Sequence, residues 1–227
     1  MNNKIILAIA SVSLFASSVM ADSEMFSKNA LSVKAGTLGA GLELTTSILD
    51  NVNARVGVNG FKYSTSGSKS NIDYDIDLKL LTVSLLLDYS PFEASQFRLT
   101  GGAMYNGNKL DMTGNPAVSG TFNFNGTTYT TTDVSSVDAT VDFNKFAPYL
   151  GIGWGNAVKS AGWNFVADLG VMFQGNPDSS ISVNTTLTGT AKTALLNNVA
   201  AEQSKLDDDL DGFKYYPVAS IGVSYRF

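Results

Sequence analysis

The sequence predicts an all-β fold: an eight-stranded antiparallel transmembrane β-barrel with one short surface helix. Three observations point there. Hydrophobic residues make up 44% of the 227-residue chain, yet beyond the first twenty or so residues they are dispersed by alternation and never gathered into a spanning helix, which needs about 20 consecutive apolar residues. The last eleven residues, Pro217 to Phe227, alternate strictly, with Ala219, Ile221, Val223, Tyr225 and Phe227 on one face and Val218, Ser220, Gly222, Ser224 and Arg226 on the other. One face suits lipid and the other a polar interior. The amino terminus, finally, is built for export: Lys4 is a thin positive region, Ile5 to Phe15 is apolar, and Val19-Met20-Ala21 is a small-residue cleavage site. Residues 1–21 are therefore expected to be a signal peptide and residues 22–227 the barrel domain.

Period-2 alternation marks eight candidate strands. The first, about Leu31 to Thr45, sets Leu38, Ala40, Leu42 and Leu44 against Gly39, Gly41 and Glu43. The second, Val52 to Tyr63, sets Val52, Ala54, Val56 and Val58 against Asn53, Arg55, Gly57 and Asn59. In the third, about Asp73 to Tyr89, the apolar parity changes before Leu80, from Tyr74, Ile76 and Leu78 to Leu81, Val83, Leu85, Leu87 and Tyr89. That change predicts either a bulge or an outer half that has left the lipid. The fourth runs from Phe97 to Met112 and the fifth from about Asp138 to Trp154. The sixth is the cleanest, with Trp163, Phe165, Ala167, Leu169, Val171 and Phe173 on one side. A seventh, Ser179 to Thr188, is more polar, and the closing strand is the eighth.

Asp50-Asn51, Ser90 to Gln96 and Gly155 to Gly162 are short connections, whereas Ser64 to Ile72 and Thr113 to Val137 are long and polar. Within the latter, Asn125-Gly126 reads as a type I′ hairpin turn standing above the membrane. Ala191 to Asp211 carries a partial apolar stripe of Leu195, Val199, Ala200 and Leu206, a surface helix. Eight such strands put both termini on the side of the long loops. Three remedies are open: the seventh strand does not cross the membrane, a strand is hidden before Leu31, or the long connections lie on the inner side.

The chain has no cysteine and no histidine. The first excludes a disulfide framework and thiolate metal sites, and the second removes the usual base near neutral pH, so no catalytic constellation can be assembled. A net charge of −5 argues against nucleic acid. Asp207, Asp209, Asp211 and Gly212 open like a calcium loop, but the position that should hold its last acid is Val218. No cofactor or metal is expected. Strand glycines such as Gly101, Gly102, Gly151 and Gly153 precede no helix and are read as room in a narrow lumen. Tyr89, Phe92, Phe97, Trp154, Trp163, Tyr215 and Tyr216 fall near strand ends as interfacial girdles would, with carbohydrate stacking as the sharper alternative. Glu43, Arg55, Lys79, Asp88, Arg98 and Asp168 are the candidate lumen-facing charges, because an Arg or Lys facing lipid near midplane costs roughly 2 to 4 kcal/mol. They could line an ion path or plug the barrel, and an eight-stranded interior, only wide enough for side chains, favours the plug.

The closing strand resembles those of integral outer-membrane β-barrels of Gram-negative bacteria, which end in Phe preceded by apolar or aromatic residues at alternate positions. The likeness is to small barrels of the OmpA, OmpX and OmpW kind. It implies residence in the outer membrane after export to the periplasm, contact with its lipid, and assembly by the barrel-insertion machinery, with Val223, Tyr225 and Phe227 as the insertion signal. The expected role is structural or one of surface interaction, with a ligand left unspecified and a narrow passive, porin-like channel as the alternative.

Overall fold

The computed structural model describes residues 28–69, 72–92, 95–116 and 120–227. The expected signal peptide lies outside them. Thirteen strands, one helix and a 3₁₀ turn follow in order: β1 (Asn29–Gly36), β2 (Gly39–Leu49), β3 (Val52–Lys69), β4 (Ile72–Tyr89), β5 (Phe97–Asn106), β6 (Lys109–Pro116), β7 (Thr121–Phe124), β8 (Thr127–Thr130), β9 (Val134–Asp142), β10 (Phe146–Trp154), β11 (Gly162–Phe173), β12 (Asp178–Thr185), α1 (Gly189–Leu210), the 3₁₀ turn (Asp211–Lys214) and β13 (Tyr215–Arg226).

The count exceeds the expected eight by five, because three of the strands read from the sequence each divide in two and the hairpin in the long loop adds β7 and β8. Leu31 to Thr45 folds back at Thr37-Leu38, where Gly39 takes φ +94°, and becomes the hairpin β1–β2. Apolar parity changes at this turn, from Leu31, Val33 and Ala35 to Ala40, Leu42 and Leu44, a signal that reading one strand through it overlooks. Thr37 is held by β13 on both sides: its N–H donates to Ala219 O at 2.9 Å and its hydroxyl to Pro217 O at 3.0 Å. Phe97 to Met112 breaks at Gly107-Asn108 into β5 and β6, and Asp138 to Trp154 breaks after Asp142 into β9 and β10.

Antiparallel pairings run β1–β2–β3–β4–β5–β10–β11–β13 and return to β1. The start of β1 meets the carboxyl terminus, Phe227 N donating to Asn29 O at 3.3 Å, at the end that also carries the short connections around Asp50-Asn51, Ser90 and Gly155. The topological conflict disappears, because the extra β1–β2 hairpin adds a crossing while β12, the expected seventh strand, pairs with β9 outside the cycle.

Beyond the cycle the sheet continues as a cap. β4 has 18 residues, more than the 9 to 11 that cross a bilayer, and its register with β3 is unbroken from Val52↔Tyr89 to Lys69↔Ile72. No bulge separates its halves. Its first half pairs with β6 instead of β5, and β6, β9 and β12 extend from there. The parity change is thus a change of surroundings on a continuous strand. Leu81, Val83, Leu85, Leu87 and Tyr89 point outward and Thr82, Ser84, Leu86 and Asp88 inward. Farther out, Asp73, Asp75, Asp77 and Lys79 take the outward side, and Ile72 on the inner side is buried in an apolar cluster with Phe122, Phe124, Tyr129, Val134, Leu195 and Val199.

The β7–β8 hairpin turns at Asn125 and Gly126, both at positive φ as a type I′ turn requires. It supplies the aromatic residues of that cluster and so is packed into the cap. α1 falls where the surface helix was expected and covers the edge strand β12. Gln203 accepts from Ile181 N at 3.3 Å and donates to Ser179 O at 2.8 Å, and Asp207 accepts from Ser179 N at 3.1 Å. An exposed edge is thereby satisfied.

Candidate functional site: an ion-paired lumen

Inward positions of six strands place Lys34 (β1), Glu43 (β2), Arg55 (β3), Asp88 (β4), Arg98 (β5) and Asp168 (β11) in one buried cluster. Register brings them together, because the cycle aligns their strands at a common depth. Lys34 Nζ lies 3.3 Å from Glu43 and 2.5 Å from Asp168. Arg55 reaches Glu43 at 3.1 Å, Asp168 at 3.2 Å and, through Nε, Asp88 at 3.0 Å. Arg98 contacts Asp168 at 2.5 Å and Asp88 at 3.3 Å, and also donates to the Gly155 carbonyl. The two Nε contacts to Asp88 have ion-pair distance without hydrogen-bond alignment. Thr100 completes the shell, donating to Asp88 at 2.7 Å and accepting from Arg55 at 3.3 Å. Three cations face three carboxylates, so the cluster is neutral.

Strand glycines make room for it. A Cβ at Gly153 would stand 2.6 Å from the Arg98 guanidinium carbon, and one at Gly222 2.7 Å from Lys34 Cγ. Toward the cap, a second layer of Leu38, Leu86, Met104, Tyr149, Met172 and Val218 closes over the ions. A cavity of about 30 Å³ remains between the layers, space for about two waters, each needing some 10 to 15 Å³ by the same measure. The arrangement holds charge in place between the two layers.

Five of the six charges expected in the lumen are there. Lys79 is the exception: outward parity puts it on the exposed face of the cap, 2.8 Å from Asp111. Sequence reasoning misses Lys34, although its polar position between Val33 and Ala35 is the available signal. Among the described residues no group of three or more acidic side chains could hold a metal. Asp207 is engaged with β12 and Asp211 with Lys214 at 3.2 Å.

The outer face of the cycle is an apolar belt between two aromatic rims. At the end carrying the termini stand Tyr89, Phe92, Trp154, Trp163 and Tyr225, the last two in edge contact at 5.1 Å. Tyr105, Phe146 and Tyr215 are exposed at the other end, where Phe173 meets Tyr215 at 5.7 Å. Tyr216 turns inward instead and donates to Thr37 O at 2.6 Å. Along β11, Trp163 and Phe173 are separated by roughly ten residue steps, about 33 Å of strand, or about 25 Å of height at a tilt near 40°. That matches the apolar band of an outer-membrane barrel. Val223, Tyr225 and Phe227 of the closing strand all face outward.

Comparison of this fold with solved structures finds two from Acinetobacter baumannii. CarO2 aligns with a TM-score of 0.56 and 25% identity over 88% of this chain and 98% of that one. CarO aligns with a TM-score of 0.54 and 26% identity over 88% and 97%. These likenesses support reading the fold as an outer-membrane β-barrel. A major outer membrane protein from Thermus thermophilus is also similar, with a TM-score of 0.45, 15% identity and coverage of 88% and 99%. No protein-family model and no curated protein sequence matches the chain.

Proposed function

We propose that this chain is a closed, eight-stranded membrane anchor, exported through its amino-terminal signal and inserted by the barrel-insertion machinery, that presents a folded cap for contact with the surroundings of the cell. The neutral six-residue ion cluster carries this reading. A lumen filled by mutually satisfied charges and an apolar second layer serves stability and shape in preference to conduction. The cap, with its own apolar core beneath α1, is the part available for recognition. The sequence holds no histidine to supply the usual base near neutral pH.

Planar-bilayer conductance of the folded protein tests the proposal, with an Arg55→Ala/Arg98→Ala variant beside it. Confirmed insertion with a silent wild type is the expected result. Reproducible current steps in the wild type, changed in size or selectivity by the variant, would replace this reading with a passive channel lined by the cluster.

A further inference from the structure

β3 and β4 run on together past Gly60, the last residue of β3 that β2 pairs with, to Lys69↔Ile72. From Phe61 to Lys69 the side of β3 away from β4 is therefore a sheet edge, and among the described residues no strand pairs with it. Along such an edge alternate residues turn both N–H and C=O away from the partner strand, here over roughly 27 Å. The opposite edge of the same sheet, β12, is covered by α1, whose Gln203 and Asp207 bond its backbone. The β3 edge has no such cover, no proline and no bulge in its pairing with β4, devices that keep an edge from taking up another strand. Lys62 and Lys69 mark its two ends, and Tyr63 to Ser68 between them carry no charge.

The two faces beside this edge differ. On the inner face Phe61, Tyr63 and, one strand farther in, Tyr74 are exposed, because the β7–β8 hairpin and α1 pack farther along that face, over Ile72, Val137, Ile181 and Val183. On the outer face β3 offers Ser64, Ser66 and Ser68, whose partners on β4 are Asp77, Asp75 and Asp73. Asp77 accepts from Ser64 and, with Asp111, balances the lysines of the row nearer the membrane. Asp75, Asp73 and Asp138, the last reached from Asp75 across Thr113, form no ion pair among the described residues, and their rows of the sheet hold no described cation.

We propose that this edge takes up an extended segment of a partner protein as an added strand. The segment's inward side chains are apolar or aromatic, against Phe61 and Tyr63, and its outward ones are Lys or Arg, reaching across the short Ser66 and Ser68 to Asp75 and Asp73. Main-chain hydrogen bonds supply affinity, and the two unlike faces supply selection. The inference rests on the reading of the cap as the recognition surface. A second copy of the chain fits less well. Antiparallel pairing of the edge with itself needs a two-fold axis across the strands, which turns one barrel upside down relative to the other, and its serines bring no cation to the aspartates.

The test is fluorescence anisotropy of a labelled peptide, Lys-Phe-Lys-Val-Lys-Tyr-Lys, with the protein in phosphatidylcholine nanodiscs and empty nanodiscs as the blank. It should bind more tightly than its counterpart with Glu for Lys by about threefold or more, the scale of two opposite-charge cross-strand pairs. The Asp73→Asn/Asp75→Asn variant should lose that preference, and Tyr63→Ser should weaken binding with charge unchanged. Of two peptides N-methylated on alternate amides, one set on each edge, one should bind and the other should not, because an added strand turns only one edge to β3. A contact through charge alone would not distinguish them. Binding no stronger than the blank, equal binding of the two methylated peptides, an unaffected aspartate variant, or self-association of the protein that displaces the peptide would overturn the inference. Heat-modifiable migration confirms folding of each sample. A folded, non-conducting barrel that takes up no peptide overturns this inference alone, whereas a conducting wild type that still binds it overturns the closed-anchor reading and keeps the added strand.

Discussion

Replacing Asp168 by Asn removes the most connected carboxylate of the lumen and keeps its volume. Asp168 faces Lys34 at 2.5 Å, Arg55 at 3.2 Å and Arg98 at 2.5 Å, and accepts from Ser220 at 3.5 Å. In the variant, three buried cations face only Glu43 and Asp88, so one positive charge is left uncompensated in a space almost closed to water. Breaking a buried pair in this way costs about 3 to 5 kcal/mol. Exposed pairs such as Lys214–Asp211 are worth at most about 1 kcal/mol. Equilibrium unfolding in urea from phosphatidylcholine vesicles measures the loss, and Trp154 and Trp163, the chain's two tryptophans, report on the belt. The double variant Asp168→Asn/Arg55→Met restores balance, leaving Lys34 and Arg98 against Glu43 and Asp88. Its cost should fall short of the sum of the single costs by about 0.5 to 3 kcal/mol. A loss below about 1 kcal/mol for Asp168→Asn, or strict additivity in the double variant, would refute the view that the cluster is a dry, mutually dependent unit.

Phe227→Asp puts a charge on an outward, largely exposed terminal position of the closing strand, and should lower outer-membrane yield as measured by heat-modifiable migration of the folded form; normal yield would remove this residue from the insertion signal. Gly153→Ala drives a methyl group into the Arg98 guanidinium and should destabilise the barrel by about 1 to 3 kcal/mol in the same urea assay. In the cap, hydrogen bonds from Lys79, then from Lys109 and Thr140, against some desolvation, hold Asp111 down to about 2. With a folded value below the unfolded value of about 3.9, its stabilisation is complete above roughly pH 4 and lost as pH falls through about 2. Exposure of the lysines limits this to under about 1 kcal/mol. Carboxyl NMR titration of wild type should place Asp111 in that window, and a midpoint near 4 would contradict the pairing.

The alternation legible in the sequence reflects a single constraint: each barrel strand has one side toward lipid and one toward the lumen, and a charge is costly on the first. That constraint located Arg55, Arg98, Glu43, Asp88 and Asp168 on the inward side and Leu85, Trp163 and Phe165 on the outward side before any pairing was known. The same reasoning found the helix near Ala191 and the Asn125-Gly126 turn, whose signals are local. Two kinds of information were beyond its reach. The turn at Thr37-Leu38 shows in the sequence only as a change of apolar parity, from Leu31, Val33 and Ala35 to Ala40, Leu42 and Leu44, and the contacts that fix it, with Pro217 and Ala219, lie about 180 residues away in the chain. The change of partner along β4, from β5 to β6, is a choice among strands of similar local character, made by the packing of Ile72 with Phe122, Phe124, Leu195 and Val199. Lys79 was misplaced for that reason, its strand having left the cycle by then. The sequence alone determined which residues cannot face lipid; tertiary structure decided which of them meet, because strand register across the closed cycle sets the distances on which ion pairing depends.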